Sequence, residues 1–361
     1  MSVRDLDDAT VLITGGTGSL GQTLVRRLLR GELGTPKRVI VFSRDEAKQY
    51  AMKTTWKHAY AATDDIIYNN FDDLIEFWIG DVRDQESVTS AVLNADVVFH
   101  AAAMKQVPTC EYFPAEATAT NVLGAANLVR AVRRSERTHT LAAVSTDKAC
   151  KPINVMGMTK ALQERIVVEG NLPLESGGCR MFCVRYGNVL SSRGSVVPLF
   201  RRQIANGGPV TITLPEMTRF LISLDRAVDT IFTAYREARA GEIFVPHCPA
   251  ARIPDIAETM IGERDIEIVE TGIRPGEKIH EILVSEEEAN RTTERAGHYV
   301  IESVLPELQL ENASRPLQGE YSSAGAVLTG QDLVDLIAQA DFVDSAGGEV
   351  RVGATGDDRS P

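Results

Sequence analysis

Residues 11–29 read VLITGGTGSLGQTLVRRLL. A β-branched apolar run passes through Gly15, Gly18 and Gly21 straight into an amphipathic stretch, which is the pattern of a strand, a tight turn and a helix. Glycine at those three places lets the backbone turn sharply, approach a pyrophosphate closely and seat the helix on the sheet. The free N–H groups of the helix N-terminus then face the phosphates. The surrounding strand and helix, with GDVRD at 80–84 closing a later strand, turn a common glycine spacing into a specific expectation of dinucleotide binding.

Outward from this unit the alternation repeats. Strands are expected at 10–14, 38–42, 75–79, 96–100, 140–145, 181–185 and 242–246, with helical segments such as TNVLGAANLVRAVRR between them. Strands alternating with helices specify βαβ units on a parallel sheet. The expected class is therefore α/β: a doubly wound, Rossmann-like parallel sheet with a smaller interleaved substrate-binding lobe. The dinucleotide domain takes 1–186 and about 225–250. The lobe takes 187–224 and 251–320, where the turn-rich pieces SSRGS, NGGP and IRPGEK lie. Residues 321–361 supply a C-terminal helix and a Gly- and Asp-rich tail, DSAGGEVRVGATGDDRSP, expected to be disordered.

A net charge of −12 argues against nucleic acid or an anionic membrane surface as partner. An anionic substrate then needs a local basic pocket. The first residues, MSVRDLDDATVLIT, hold no apolar signal core, and no apolar run is long enough to span a bilayer. Cys110, Cys150, Cys179, Cys183 and Cys248 form no CxxC pair, so they read as reduced thiols, neither a disulfide frame nor a metal site. A cytoplasmic protein is the expectation.

The second strand ends in FSRDEAKQ. An acidic residue there would hold a ribose 2′-hydroxyl and favour NAD. Ser43 and Arg44, with Lys48 a turn later, suit a 2′-phosphate, so NADP is expected, with NAD as the alternative.

The blocks FSRDEAKQ, GDVRD, AAMKQVP, STDKACKPINVMGMTK, RYGNVLSSRGSVVPLF, PEMTRF and GIRPGEKIHEIL resemble, in order, the UDP-N-acetylglucosamine 4,6-dehydratases of bacterial glycan pathways. These belong to the extended short-chain dehydrogenase/reductases, and the resemblance runs from about residue 10 to 305. It implies NADP as a regenerated cofactor, a UDP-sugar substrate and a homo-oligomer, dimer or higher. Ser19 and Leu20 join the glycine loop in the implied cofactor set, as do Asp81, Val82 and Ala101 at later strand ends and Lys160 on the nicotinamide ribose. For the substrate it implies Asn188, Val196, Thr213, Arg274 and Glu277 around the UDP portion and Lys105 near the sugar. Arg219, by its charge alone, is expected near the diphosphate. Residues 55–72 lengthen one connection beyond the family pattern and read as a surface insertion.

The family reaction removes hydride from carbon 4 of the sugar, eliminates water across carbons 5 and 6, and returns hydride to carbon 6. It needs a base for carbon 5, an acid for the leaving hydroxyl and a route for the carbon 4 hydroxyl proton. Thr146, Asp147 and Lys148 are the candidates: Thr146 against the carbon 4 hydroxyl, Asp147 as acid, Lys148 as base. Desolvation and the neighbouring Lys160 are expected to lower the proton affinity of Lys148. The competing assignment for Asp147 and Lys148 is a plain helix-entry salt bridge. Met156 stands four residues before Lys160, where many relatives carry tyrosine, and a thioether moves no proton. The tyrosine branch nevertheless shares RYGNV and GEIFVP with this chain. Inversion at carbon 5 is the expectation; a retaining dehydratase, a sugar-nucleotide 4-epimerase and a non-enzymatic dinucleotide-binding protein are the alternatives.

Overall fold

The computed structural model describes residues 5–61, 74–172, 178–190, 195–309, 317–325 and 327–346. Its core is a nine-stranded sheet. Seven strands run parallel: β1 (Thr10–Thr14), β2 (Arg38–Ser43), β3 (Ile75–Ile79), β4 (Val97–His100), β5 (Thr140–Thr146), β6 (Arg180–Tyr186) and β10 (Ile243–Pro246). Three short strands of the lobe intervene in sequence: β7 (Asn188–Val189), β8 (Val210–Ile212) and β9 (Thr218–Ile222). The spatial order 3-2-1-4-5-6-10 reverses direction between β1 and β4. A crevice opens outside the carboxyl ends at such a reversal, which is where ligands bind in sheets of this kind. Strands β1, β2 and β4 are wholly or almost wholly buried apolar runs, as a sheet covered on both faces requires.

The sheet ends in an antiparallel hairpin, β14 (Thr292–Arg295) and β15 (His298–Ile301), paired to β10. This corrects the expected division of the chain, which gave these residues to the lobe. Their two-residue Ala296–Gly297 turn, both residues at positive φ, closes the hairpin tightly enough to cap the sheet edge.

The lobe is built from β7 and β9 with β11 (Ala250–Arg252), and from β8 with β12 (Ile268–Glu270). It has an apolar core of its own around Phe200, Val210, Leu221 and Ile256. The C-terminal helix, Gly330–Ala346, buries Leu333, Leu336 and Ile337 in that same core. Most of the expected 344–361 tail and most of the 55–72 insertion lie outside the described residues.

One buried ion network joins β6 to helix Val155–Glu169 and to the segment that leads into the β14–β15 hairpin. The Arg185 guanidinium on β6 makes paired bonds to Glu164 at 2.9 and 2.7 Å and to Glu288 at 2.8 and 2.9 Å. It also donates to the Leu283 carbonyl at 2.9 Å. All three charged residues are at least nine-tenths buried, so each neutralises and satisfies the others.

Candidate active site

Helix α1 (Ser19–Leu29) begins at Gly18 with no side chain capping its first N–H groups. Its approach to the sheet depends on Gly21, where a Cβ would strike the Gly16 backbone and the Gly15 carbonyl. The open N–H groups face a cavity of about 610 Å³ that runs from the glycine loop, past the tips of β2, β4 and β5, to the start of the lobe.

Gly15, Gly18, Ser19, Leu20 and Gly21 line one end. Ser43, Arg44 and Lys48 line the side at β2, and Asp81, Val82 and Ala101 the floor. Ser43 is bound by Thr17 at 3.2 Å and by Gln49 at 3.2 Å. Arg44 is largely exposed, with Asp81 at 3.9 Å, while Lys48 pairs with Asp45 at 2.6 Å. Arg83 and Arg44 together outweigh burial and hold the Asp81 carboxyl below its ordinary range.

At the other end the cavity meets Thr146, Lys148, Met156, Lys160, Asn188 and Lys105. Helix α2 (Glu46–Ala61), α3 (Gln85–Leu93), α4 (Gly124–Arg134) and α5 (Val155–Glu169) follow α1 in the dinucleotide domain. The turn holding Lys148 lies against the first turn of α5, because at Gly157 any Cβ would collide with the Lys148 carbonyl. Asn154 caps α5, accepting from the Gly157 N–H at 2.8 Å, and donates to the Gly276 carbonyl at 2.7 Å. It thereby ties the 272–278 turn down over the site. Met156 is buried against Cys110 and Ala117, so the position four before Lys160 offers the cavity a thioether.

Asp147 is completely buried beneath this end. Its Oδ1 accepts from the Thr146 hydroxyl at 2.8 Å and from Lys148 Nζ at 2.9 Å, while Oδ2 has no hydrogen-bond partner among the described residues. Lys148 Nζ also donates to Asn188 Oδ1 at 3.1 Å and lies 3.5 Å from Glu281 Oε1. The expectation of a lysine with weakened proton affinity is corrected here. Burial does oppose the charge on Lys148, but Asp147 and Glu281 outweigh it and raise its pKa. It is Lys160 whose pKa falls, to about 8, mainly through burial. Lys160 Nζ donates to the Val144 carbonyl at 2.6 Å and to Gln163 at 2.7 Å.

Six of the expected residues do not line the cavity: Asp147 and five in the lobe. Val196 opens the helix Val196–Ala205 directly after the cavity residue Ser195. Thr213 follows β8 and touches Met217 Sδ at 2.7 Å. Arg274 and Glu277 stand 3.8 Å apart on the turn that Asn154 holds. Arg219, expected beside a diphosphate, is buried on β9 and donates to the carbonyls of Thr218 at 2.7 Å and Ile279 at 3.1 Å.

Three residues were not anticipated. Tyr186 brings a phenol to the cavity wall, its pKa pushed up by burial; the RYGNV block contained that signal. Thr120 sits in a π-helical turn, Thr118–Leu123, and its buried hydroxyl has no hydrogen-bond partner among the described residues. Glu281 lies within the GIRPGEKIHEIL block, but its pairing with Lys148 is remote in sequence. All five cysteines are free, and no cluster that could hold a metal occurs among the described residues.

A family model described as polysaccharide biosynthesis protein matches residues 11–303. The chain belongs to that family. A protein of Rickettsia typhi named UDP-glucose 4-epimerase is 43% identical over 299 residues, spanning 81% of this chain and 83% of the relative. A Methanocaldococcus jannaschii protein named as an uncharacterized membrane protein is 41% identical over 303 residues, 81% of this chain and 86% of its own. No helix among the described residues here is long and apolar enough to cross a membrane. Among solved structures, Pen from Bacillus thuringiensis is 35% identical and superposes with a TM-score of 0.83, over 93% of this chain and 99% of that one.

Proposed function

We propose that this polysaccharide-biosynthesis family member is an NADP-dependent UDP-N-acetylglucosamine 4,6-dehydratase that inverts carbon 5. The observation that carries this reading is the Thr146–Asp147–Lys148 chain of hydrogen bonds at the carboxyl end of β5. A donor, a buried carboxyl and an amine in one continuous path are what an elimination needs and what a simple hydride transfer does not.

The cavity fits a nicotinamide dinucleotide. Its uncapped helix N-terminus suits a pyrophosphate, its glycine loop lines the cavity end, and Arg44 and Lys48 suit a 2′-phosphate. Hydride removal from carbon 4 and its return to carbon 6 are the chemistry that such a cofactor supplies when bound. Lys160 lies where the nicotinamide ribose would be held. Lys105 and Asn188 face the sugar end; Val196, Thr213, Arg274 and Glu277 would act on the UDP portion, while Arg219 stays bonded to carbonyls of its own fold.

Thr146 relays the carbon 4 hydroxyl proton along its 2.8 Å bond to Asp147. Asp147 then gives that proton to the hydroxyl leaving carbon 6. Lys148, as a neutral amine, takes the carbon 5 proton; inversion then requires that the proton added back arrive on the opposite face. Met156 leaves this path to the other three groups, because it has no proton to exchange. A homo-oligomer, dimer or higher, is part of the same proposal.

The second reading is a 4-epimerase, favoured by the names of the Rickettsia relatives. Incubation with UDP-N-acetylglucosamine and mass spectrometry separates the two: loss of one water is expected, and an isobaric new sugar would establish the epimerase instead. Product made in D2O should carry deuterium at carbon 5, and its absence would remove the elimination mechanism. No change in any UDP-sugar tried would favour a non-enzymatic dinucleotide-binding protein.

A further inference from the structure

Once hydride has left carbon 4, breaking the carbon 5–hydrogen bond moves an electron pair toward the carbon 4 oxygen. That oxygen carries the developing charge until the carbon 6–oxygen bond breaks and the pair passes into a carbon 5–carbon 6 double bond. A preorganised hydrogen-bond donor at the charged oxygen lowers the barrier. The relay leaves Thr146 one hydrogen to offer, whereas such an oxygen accepts two. Met156 offers none.

We infer that the Tyr186 hydroxyl is the second donor, hydrogen-bonding the carbon 4 oxygen while it is charged. The register of the sheet carries this. Tyr186 ends β6 beside Thr146, which ends β5, and the two are Cα partners in the parallel ladder. Neighbouring strands lie about 4.8 Å apart, and residues paired in register point to the same face. Both residues line the cavity. A sugar hydroxyl set against Thr146 is therefore within reach of the adjoining phenol.

Tyr186 is placed as a fixed donor. It is 6% exposed. Burial is the one influence on its phenol among the described residues and pushes its pKa up, so the hydroxyl keeps its proton. The strand is pinned beside it, because Arg185, on the opposite face, is held by Glu164, Glu288 and the Leu283 carbonyl. At Gly187 a Cβ would come within 2.4 Å of Phe220 Cβ, so the end of β6 lies tight against β9. Asn188 then accepts from Lys148, which also lies beside Glu281, just before β13 (Ile282–Val284). Other donors at this end are engaged: Ser145 with Glu164 at 2.6 Å, and Lys160 with the Val144 carbonyl and Gln163. Tyr186 donates a hydrogen bond and transfers nothing, so the proton path through Thr146, Asp147 and Lys148 is unaltered. The inference rests on the dehydratase reading and adds a catalytic residue to it.

Tyr186→Phe removes the hydroxyl and keeps the ring. Water loss should fall by about 100- to 1,000-fold, the effect of deleting one such donor. Hydride removal comes before the oxygen is charged, so reduced cofactor should form at a near-normal rate and accumulate during turnover. A substrate carrying deuterium on carbon 5 should then show its full isotope effect, because breaking that bond has become the slow step. A merely structural role would slow hydride removal and water loss together and leave the isotope effect unmoved. That result overturns the inference, as does water loss within about threefold of normal. Thr120, a cavity residue with a buried hydroxyl, is the comparison. A larger loss in Thr120→Val than in Tyr186→Phe would place the donor there and overturn the assignment. Should Tyr186→Phe fail to fold, Tyr186→Gln keeps a donor and should stay above Tyr186→Leu, which keeps none; equal losses overturn the inference. An unaltered protein that dehydrates no UDP-sugar defeats the dehydratase reading before Tyr186 is altered, whereas normal dehydration by Tyr186→Phe defeats this inference alone.

Discussion

Replacing Lys148 by methionine tests the site most directly, because it keeps the length of the side chain and deletes its charge. Two effects follow from the geometry and must be separated. The ammonium neutralises Asp147, which is fully buried, and Glu281, which is 4% exposed. Removing one partner of a buried pair costs about 3–5 kcal/mol. Lys148 itself is 21% exposed at the cavity floor, so water can partly replace it, and the lower end of that range is expected. Domains of ordinary stability, about 5–15 kcal/mol, survive such a loss. On activity, loss of a positioned base lowers the rate by about 100- to 10,000-fold, or roughly 3–5 kcal/mol in barrier height. Cofactor binding should persist, since the glycine loop and Lys160 are untouched. Urea denaturation gives the first quantity, cofactor titration the second, and mass spectrometry of the sugar product the third. Met156→Ala is the control, expected to cost less than about tenfold in rate because only packing is lost. Activity within tenfold of normal in folded, cofactor-loaded Lys148→Met refutes the assignment of the base, as does equal damage from Met156→Ala.

Arg44→Ala should weaken NADP by about tenfold or more, the size of a charge-assisted hydrogen bond, and leave NAD unchanged; equal affinities of the unaltered protein for both by calorimetry would contradict the preference. Lys160 has its pKa depressed from 10.5 to about 8, so the unfolded chain binds more protons across that window and stability should rise with pH there. The rise is on the order of 3 kcal/mol and should vanish in Lys160→Met when urea midpoints are compared at the two ends of the window. The raised value of Lys148 acts in the opposite sense, but only above 10.5. Arg185→Met should cost about 3–5 kcal/mol by leaving Glu164 and Glu288 buried and unpaired; a loss below 1 kcal/mol by urea titration would show that the network adds little to the fold.

Much of this was legible in the chain because it depends on neighbours in sequence. The strands of the parallel sheet announce themselves as short β-branched runs, and the observed β1 and β3 coincide with the expected 10–14 and 75–79. The glycine loop is legible for the same reason, since its work is done within a dozen residues. The hairpin Thr292–Ile301 was not recognised as part of the sheet: TTER carries two charges, and nothing local says that β10 lies beside it. The direction for Lys148 is set against burial by Asp147, its neighbour in sequence, and by Glu281, which is close only in space, and not by Lys160. Arg219 shows the converse, an arginine in a motif whose fork is spent on carbonyls of its own fold. Pairings that cross from sheet to lobe require the folded chain, and the chemistry of this site depends on them.

The fastening of Glu288 to Arg185 bears on how such a protein can change its trade. Seven residues before that anchor stands Glu281, so one short segment supplies both a partner for Arg185 and a carboxylate beside Lys148. A descendant that kept the sheet and exchanged the segment from residue 272 to 288 would keep the glycine loop and its cavity and change what faces Lys148. Diversification of the reaction therefore has a natural seam, and it runs through a stretch of fewer than twenty residues rather than through the dinucleotide fold.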